Sequence, residues 1–197
     1  MSPEAVRTAY ERVRAEVGSG VTVVAATKYV SLEDMAVLAE AGVEVVGENR
    51  AQDLDRKHAV YGDAFRWHFI GHLQSNKVKL VNGICELVHS LGSESAARRL
   101  TVPALVEVNL SGETSKSGVA PDELPALLAA YPNVRGLMTM PPAAADADES
   151  RPYFRRLREL AGEHALTELS MGTSQDYRVA AEEGATLVRV GSVLYRG

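Results

Sequence analysis

Val24-Ala25-Ala26-Thr27-Lys28-Tyr29-Val30 sets a lysine at the end of an unbroken apolar run that begins at Val21. A short run of this kind, rich in β-branched residues, reads as a strand buried on both faces, the strand type of a parallel sheet. Helix-start chemistry follows almost at once, at Ser31. A strand, a polar end and a helix start in that order make one βα unit, and the lysine stands at its polar end.

The same rhythm repeats along the chain. Apolar runs lie at 21–27, 43–46, 67–70, 84–89, 104–110, 134–140, 168–171 and 186–194, and these are eight predicted strands. Helical patterns lie between them. Ser31 opens one that Gly42 closes, Ser75 opens one that Gly83 closes, and Ser174 opens the last, ended by Gly184. Serine at the start and glycine at the stop is the expected asymmetry of helix ends. Ahead of the first strand, Ser2-Pro3 offers a cap and a first-turn proline, and Val6, Tyr10, Val13 and Val17 form a stripe at helical spacing. Eight such units predict an α/β protein of the closed (β/α)8 type, a TIM barrel, with a doubly wound open sheet as the competing architecture. At 197 residues the barrel is compact against the ~250 typical of the fold, so residues 1–197 read as one domain. Pro141-Pro142-Ala143-Ala144-Ala145-Asp146-Ala147-Asp148, after the sixth strand, reads as a mobile loop.

A net charge of -5 and a pI near 5.6 argue against nucleic acid or an acidic membrane as partner, since both reward a basic face. The single cysteine, Cys85, rules out an internal disulfide and fits a reducing compartment. The N-terminus is charged and amphipathic, with no apolar core of a secretory signal, and no apolar run approaches the ~20 residues of a membrane span. The expectation is a soluble, cytoplasmic protein.

In a TIM barrel the site lies at the carboxyl ends of the strands. Those ends carry Lys28, Glu48-Asn49-Arg50, His72, His89-Ser90, Asn109, Thr139, Thr173-Ser174 and Arg189-Val190-Gly191-Ser192. A partly desolvated Lys28 is a nucleophile toward carbonyls, which makes a Schiff base its natural chemistry; the structural alternative is a lysine that reaches water or pairs with Glu48. Leu169-Ser170-Met171-Gly172-Thr173-Ser174 ends a strand with a glycine that lets backbone approach a ligand. Ser174 is either a plain helix cap or part of an anion site. Gly191 and Ser192 follow the next strand, and barrels often bind phosphate between these two loops. Arg189 either pairs with a carboxylate such as Glu48 or donates to a ring nitrogen deeper in the mouth, where it would leave that nitrogen unprotonated. His68 and His72 stand four apart, with no further metal-ligand pattern, and read as lining of the mouth.

Ala26-Thr27-Lys28-Tyr29-Val30, Gly47-Glu48-Asn49-Arg50-Ala51-Gln52-Asp53, the segment WHFIGHLQSNK (67–77), VNLSGETSKSG (108–118), RGLMTM (135–140), LSMGTSQDY (169–177) and VRVGSVLY (188–195) together resemble the YggS/PROSC-type pyridoxal phosphate homeostasis proteins. The resemblance runs from about residue 20 to the end. It implies the barrel shared with the N-terminal domain of alanine racemases (PLP fold type III). Lys28 would form the Schiff base with pyridoxal 5'-phosphate (PLP), and Asn49 would contact the cofactor. Ser174, Gly191 and Ser192 would hold its phosphate, and Arg189 would face the pyridine nitrogen. Thr173 stands where many relatives have methionine. The implied role is to bind, buffer and deliver PLP in vitamin B6 and amino-acid homeostasis, with apo PLP-dependent enzymes as transient clients and a monomeric state. A racemase would need an opposing base, for which Tyr29 and Tyr177 are the nearby candidates. The alternatives are a small PLP-dependent amino-acid racemase and a Schiff-base aldolase acting on a phosphorylated sugar. Lys116, in the loop 112–118, invites a role in meeting the cofactor as it enters or leaves.

Overall fold

The computed structural model describes residues 1–113 and 117–195. Eight parallel strands pair in chain order and close on themselves: β1 (Thr22–Ala26), β2 (Val45–Glu48), β3 (Arg66–Phe69), β4 (Leu87–Leu91), β5 (Ala104–Glu107), β6 (Val134–Met138), β7 (Glu168–Ser170) and β8 (Leu187–Val190). β1 pairs with β2 on one side and with β8 on the other, so the sheet has no edge. The helices are α1 (Pro3–Val17), α2 (Met35–Glu40), α3 (Ala51–Tyr61), α4 (Val78–Asn82), α5 (Glu94–Ala97), α6 (Leu124–Ala130), α7 (Arg151–Glu163), α8 (Tyr177–Glu182) and α9 (Ser192–Tyr195). This is the (β/α)8 barrel of the sequence reading, and the open-sheet alternative falls.

The local chemistry of α1 follows its sequence. The Ser2 hydroxyl accepts from Ala5 N at 3.3 Å, Pro3 fills the first turn, and Val6, Tyr10, Val13 and Val17 are all buried. Burying each such side chain contributes about 1.5–3 kcal/mol, enough to hold the helix on the barrel wall.

Strand alternation divides the apolar residues into two cores. Val24, Val45, Leu87, Leu105, Met138 and Leu187 fill the barrel interior with Ile70, while Val23, Ala25, Val46, Trp67, Val88, Val106 and Val188 face the helices. The same period of two sends Lys28 to the inner side, after Val24 and Ala26, and Thr27 to the outer side. It also turns His68, His89, Ser170 and Arg189 inward, where they bond to one another.

Three expectations are corrected. The run 186–194 is a strand only to Val190; the chain turns at Gly191 into α9. The serines at 31, 75 and 174 precede their helices by several residues, because turns intervene; the Ser31 hydroxyl accepts from Asp34 N at 3.0 Å and closes one of them. The expected mobile loop, 141–148, ends inside a 3-10 turn, Ala147–Ser150, closed by a capping box between Asp146 and Glu149. Cys85 is buried just ahead of β4, and burial pushes its thiol up to about 12, so it carries no thiolate at neutral pH. No helix among the described residues is long and apolar enough to cross a membrane.

Candidate functional site

A cavity of about 820 Å³ opens at the carboxyl ends of the strands, and Lys28, Asn49, Ser174, Arg189, Gly191 and Ser192 all line it. Its size is that of a small-molecule site, ~300–1,000 Å³. The six residues singled out in the sequence thus meet at one place.

Lys28 lies in the turn after β1, beyond the last residue of the ladder, and is exposed rather than partly desolvated as expected. Its ammonium rests 4.7 Å from the centroid of the Tyr29 ring. Glu48 is not its partner. The Glu48 carboxylate is fully buried in the outer layer and accepts from Lys57 Nζ at 2.5 Å and from the Thr27 hydroxyl at 2.7 Å. Lys57 also donates to the Thr27 carbonyl at 2.8 Å. Nor does Glu48 bond to Arg189, whose partners lie elsewhere. No carboxylate among the described residues pairs with Lys28.

Arg189 is buried under the cavity. It donates to the Ser170 hydroxyl, to the Thr139 carbonyl at 3.1 Å and to Met140 Sδ at 2.9 Å. Burial pulls its pKa down to about 10, against the opposing charges of Glu107 and Asp176, so it remains a cation at neutral pH. Below it the Ser170 hydroxyl lies 2.7 Å from His89 Nδ1, and His89 Nε2 lies 2.9 Å from His68 Nδ1. Arginine only donates, so the Ser170 oxygen accepts from it and the Ser170 proton serves His89. His89 Nε2–H then donates to His68. Burial keeps both rings neutral: His68 is pulled down to about 3, and His89 well below its ordinary value. His72 lines the mouth as expected, but His68 does not. It sits at the opposite end of the barrel, beside a second cavity of about 270 Å³ flanked by Arg66 and Arg135.

The loops after β7 and β8 are joined by one hydroxyl. Ser174 Oγ accepts from Gly191 N at 3.0 Å and from Val193 N at 3.4 Å. It does not cap α8, the helix that follows it in sequence; its oxygen instead takes N–H groups at the start of α9. The turn ahead of α8 is held by Asp176, whose carboxylate accepts from Thr173 N at 2.7 Å, from the Thr173 hydroxyl at 3.0 Å and from the Ser150 hydroxyl at 2.8 Å. Gly172 is corrected too. With φ of 90°, and with any β-carbon falling 2.5 Å from that of Ala180, it serves the packing of α8 rather than ligand approach.

Neither tyrosine candidate opposes Lys28. Tyr29 lies beneath the lysine's own ammonium and is 88% exposed, and Tyr177 bonds to Glu16 on α1. The sequence reading missed Glu107 and Tyr195, both in the cavity wall. Alternation along β5 would have found Glu107, two residues beyond inward Leu105; its carboxylate accepts from the Ser117 hydroxyl at 2.6 Å. Tyr195 was hidden by the strand assigned to its segment. Lys116 lies outside the described residues. Among them, no group of three or more His, Cys, Asp or Glu is placed to hold a metal ion.

The residues suit a phosphorylated aldehyde of a pyridine. There is an accessible amine after β1, a cluster of hydroxyls and backbone N–H groups after the neighbouring β8 and β7, and a fixed cation beneath. Comparison with known proteins agrees. The family model described as "Alanine racemase, N-terminal domain" matches residues 1–197. The pyridoxal phosphate homeostasis protein of Aquifex aeolicus is 42% identical over 86% of this chain and 84% of its own length, and that of Deinococcus radiodurans is 40% identical over 99% and 100%. PipY of Synechococcus elongatus, solved with PLP bound, superposes with a TM-score of 0.85 at 31% identity, covering 96% of this chain and 99% of that one. Alanine racemase of Corynebacterium glutamicum, at 16% identity, shares the fold alone, with a TM-score of 0.74 over 99% of this chain and 61% of that one. The chain belongs to the pyridoxal phosphate homeostasis proteins, whose barrel is the one that the alanine racemase N-terminal domain describes.

Proposed function

We propose that this chain binds PLP at the barrel mouth through Lys28 and that it buffers and hands over the cofactor, in support of vitamin B6 and amino-acid homeostasis. The carrying observation is the meeting, in one cavity, of an amine with no carboxylate partner among the described residues and the Ser174–Gly191 cradle. PLP binding by PipY, 31% identical, supports it.

When bound, the cofactor would supply an electrophilic aldehyde, and Lys28 is the amine that would hold it. The chain's own residues do the rest. Ser174, Gly191 and Ser192 would hold the phosphate, at the point where the Ser174 hydroxyl draws the loops after β7 and β8 together by accepting from Gly191 N and Val193 N. Asn49 holds the ring from the end of β2. Arg189, which cannot take up a proton, faces the ring nitrogen and keeps it unprotonated. That weakens the ring as an electron sink and disfavours carbanion chemistry. With Tyr29 and Tyr177 turned to other tasks, this supports a non-catalytic carrier over a racemase. The same reading has apo PLP-dependent enzymes as transient clients, a monomer in solution and a cytoplasmic home.

The test is an absorbance spectrum of the purified protein before and after borohydride reduction, with the modified peptide mapped, and a search for D-isomer after incubation with single L-amino acids. A visible band fixed by borohydride on the Lys28 peptide, with no D-isomer, is the expected result. Attachment at another lysine, or no band after PLP is supplied, overturns the assignment; steady production of a D-amino acid overturns the carrier role.

A further inference from the structure

Apolar side chains pack the barrel interior, yet four polar ones run through it: His68 from β3, His89 from β4, Ser170 from β7 and Arg189 from β8. Ser170 and His89 are sealed completely, and the other two nearly so. An apolar set would fill the same space without taking an arginine out of water, and such replacements are often neutral or stabilising. Stability alone therefore does not account for the column. A fully satisfied buried network holds its members rigid, so the question is which member has to be held.

The member that reaches the mouth is Arg189, which lines the large cavity. Its Nη1 donates to the Ser170 hydroxyl, and its Nη2 to the Thr139 carbonyl at 3.1 Å and to Met140 Sδ at 2.9 Å. Those bonds take three of the five N–H donors of a guanidinium and leave two. Each acceptor is uncharged. No carboxylate among the described residues is bonded to Arg189; Glu107 and Asp176 act on it only through space. The guanidinium is thus fixed in orientation without being neutralised.

The bond to Ser170 depends in turn on His89. The Nε2–H of His89 is committed to His68 Nδ1 at 2.9 Å, so His89 Nδ1, 2.7 Å from the Ser170 hydroxyl, is an acceptor. It takes the serine proton and leaves the lone pairs of the Ser170 oxygen to the arginine. Without that acceptor the hydroxyl can rotate and present its proton to the guanidinium instead. We propose that Ser170 and His89 are positioning residues for Arg189, fixing its guanidinium for a bond to the ring nitrogen of the cofactor; this rests on the reading of PLP held at Lys28 with Arg189 at the ring nitrogen.

The experiment measures dissociation constants of the full chain for PLP and for the PLP analogue with carbon in place of the pyridine nitrogen. It compares the parent with Ser170→Ala, His89→Asn, His89→Leu and Arg189→Leu, each checked for its fold by near-ultraviolet circular dichroism. The parent should prefer PLP about tenfold, the low end for a hydrogen bond to a charged group, and Arg189→Leu should prefer neither ligand. Ser170→Ala should cut the preference to about two- to threefold by weakening PLP alone; Ser170→Cys, of similar volume but a poor acceptor, takes its place if the alanine variant does not fold. His89→Asn, whose amide oxygen stands in for Nδ1, should keep the preference that His89→Leu loses. Equal weakening of both ligands by Ser170→Ala, or of neither, makes the column structural and overturns the positioning role, while Lys28 and Arg189 keep theirs. His89→Asn behaving as His89→Leu does overturns the part of His89. A parent without preference, or an Arg189→Leu variant that retains it, overturns the reading of Arg189 at the ring nitrogen and this one with it, and a parent that takes up neither ligand overturns the binding proposal itself.

Discussion

Two lysines meet the end of β1 from opposite faces of the strand, and they have opposite surroundings. Lys57 comes from α3 on the outer side, is 1% exposed, and has its ammonium bonded to Glu48 and to the Thr27 carbonyl. Lys28, one residue beyond Thr27 on the inner side, is exposed and has only an aromatic face beneath it. The buried amine is committed to structure, because a charge taken out of water is tolerated only with its partners in place. The exposed amine is committed to nothing, and that leaves it available for a covalent bond. On the proposed reading, Lys28 can serve as a reagent because no carboxylate among the described residues pairs with it, while Lys57 holds Glu48 on the other face.

The sharpest way to break this comparison is to remove each amine in turn. Lys28→Ala should abolish the borohydride-fixed cofactor outright while shifting unfolding free energy by no more than about 0.5 kcal/mol, the usual effect of an exposed change; mass spectrometry and denaturant melts read both. Lys57→Ala should do the reverse. It leaves the Glu48 carboxylate buried and unpaired, at a cost of about 3–5 kcal/mol, and adding Glu48→Gln should recover part of the loss. If both single variants lose stability alike, the distinction between the two lysines is wrong.

The histidines of the interior extend the structural side of the comparison. Both are held neutral in the fold, so the unfolded chain binds more protons than the native one below the ordinary histidine range near 6.5. Stability must then rise with pH across that range and fall on acidification from about 6.5 toward 3, by up to ~1.4 kcal/mol per pH unit for each histidine. Thermal melts between pH 5 and 8 should show the slope, and His68→Asn should flatten it. A slope that the substitution leaves intact would assign the acid sensitivity elsewhere. The smallest effect belongs to the binding side. Ser174→Ala should weaken PLP binding by severalfold, about one hydrogen bond, without loss of the Lys28 adduct at saturating cofactor, as an equilibrium titration would show.

Much of this was legible in the residues alone. The eight apolar runs and the serine and glycine punctuation pointed to the barrel, since a strand buried on both faces is mostly apolar. Lys28 and Arg189 stood out because charge is rare at such ends. What could not be read was partnership. Glu48 was open to Lys28 or Arg189 as partner, and its actual partner, Lys57, is set by the side of the strand on which each lies. Ser174 followed a strand and preceded a helix, so its hydroxyl looked like a cap; the bond to Gly191 N spans two strands and leaves no local trace. Tyr195 was concealed by an apolar run that continues through a turn at Gly191, where β-branched composition outlasts the strand.

The barrel closes where the first strand meets the last, through Val24 against Arg189 and its neighbouring pairs. Lys28 hangs from one side of that seam, and Gly191 and Ser192 from the other. A nascent chain can build seven strands while β1 still lacks its second neighbour, since contacts so distant in sequence form late. The candidate pocket is then the final part of the molecule to take shape during folding, and on the proposed binding, uptake of the aldehyde would report that the circle has been completed.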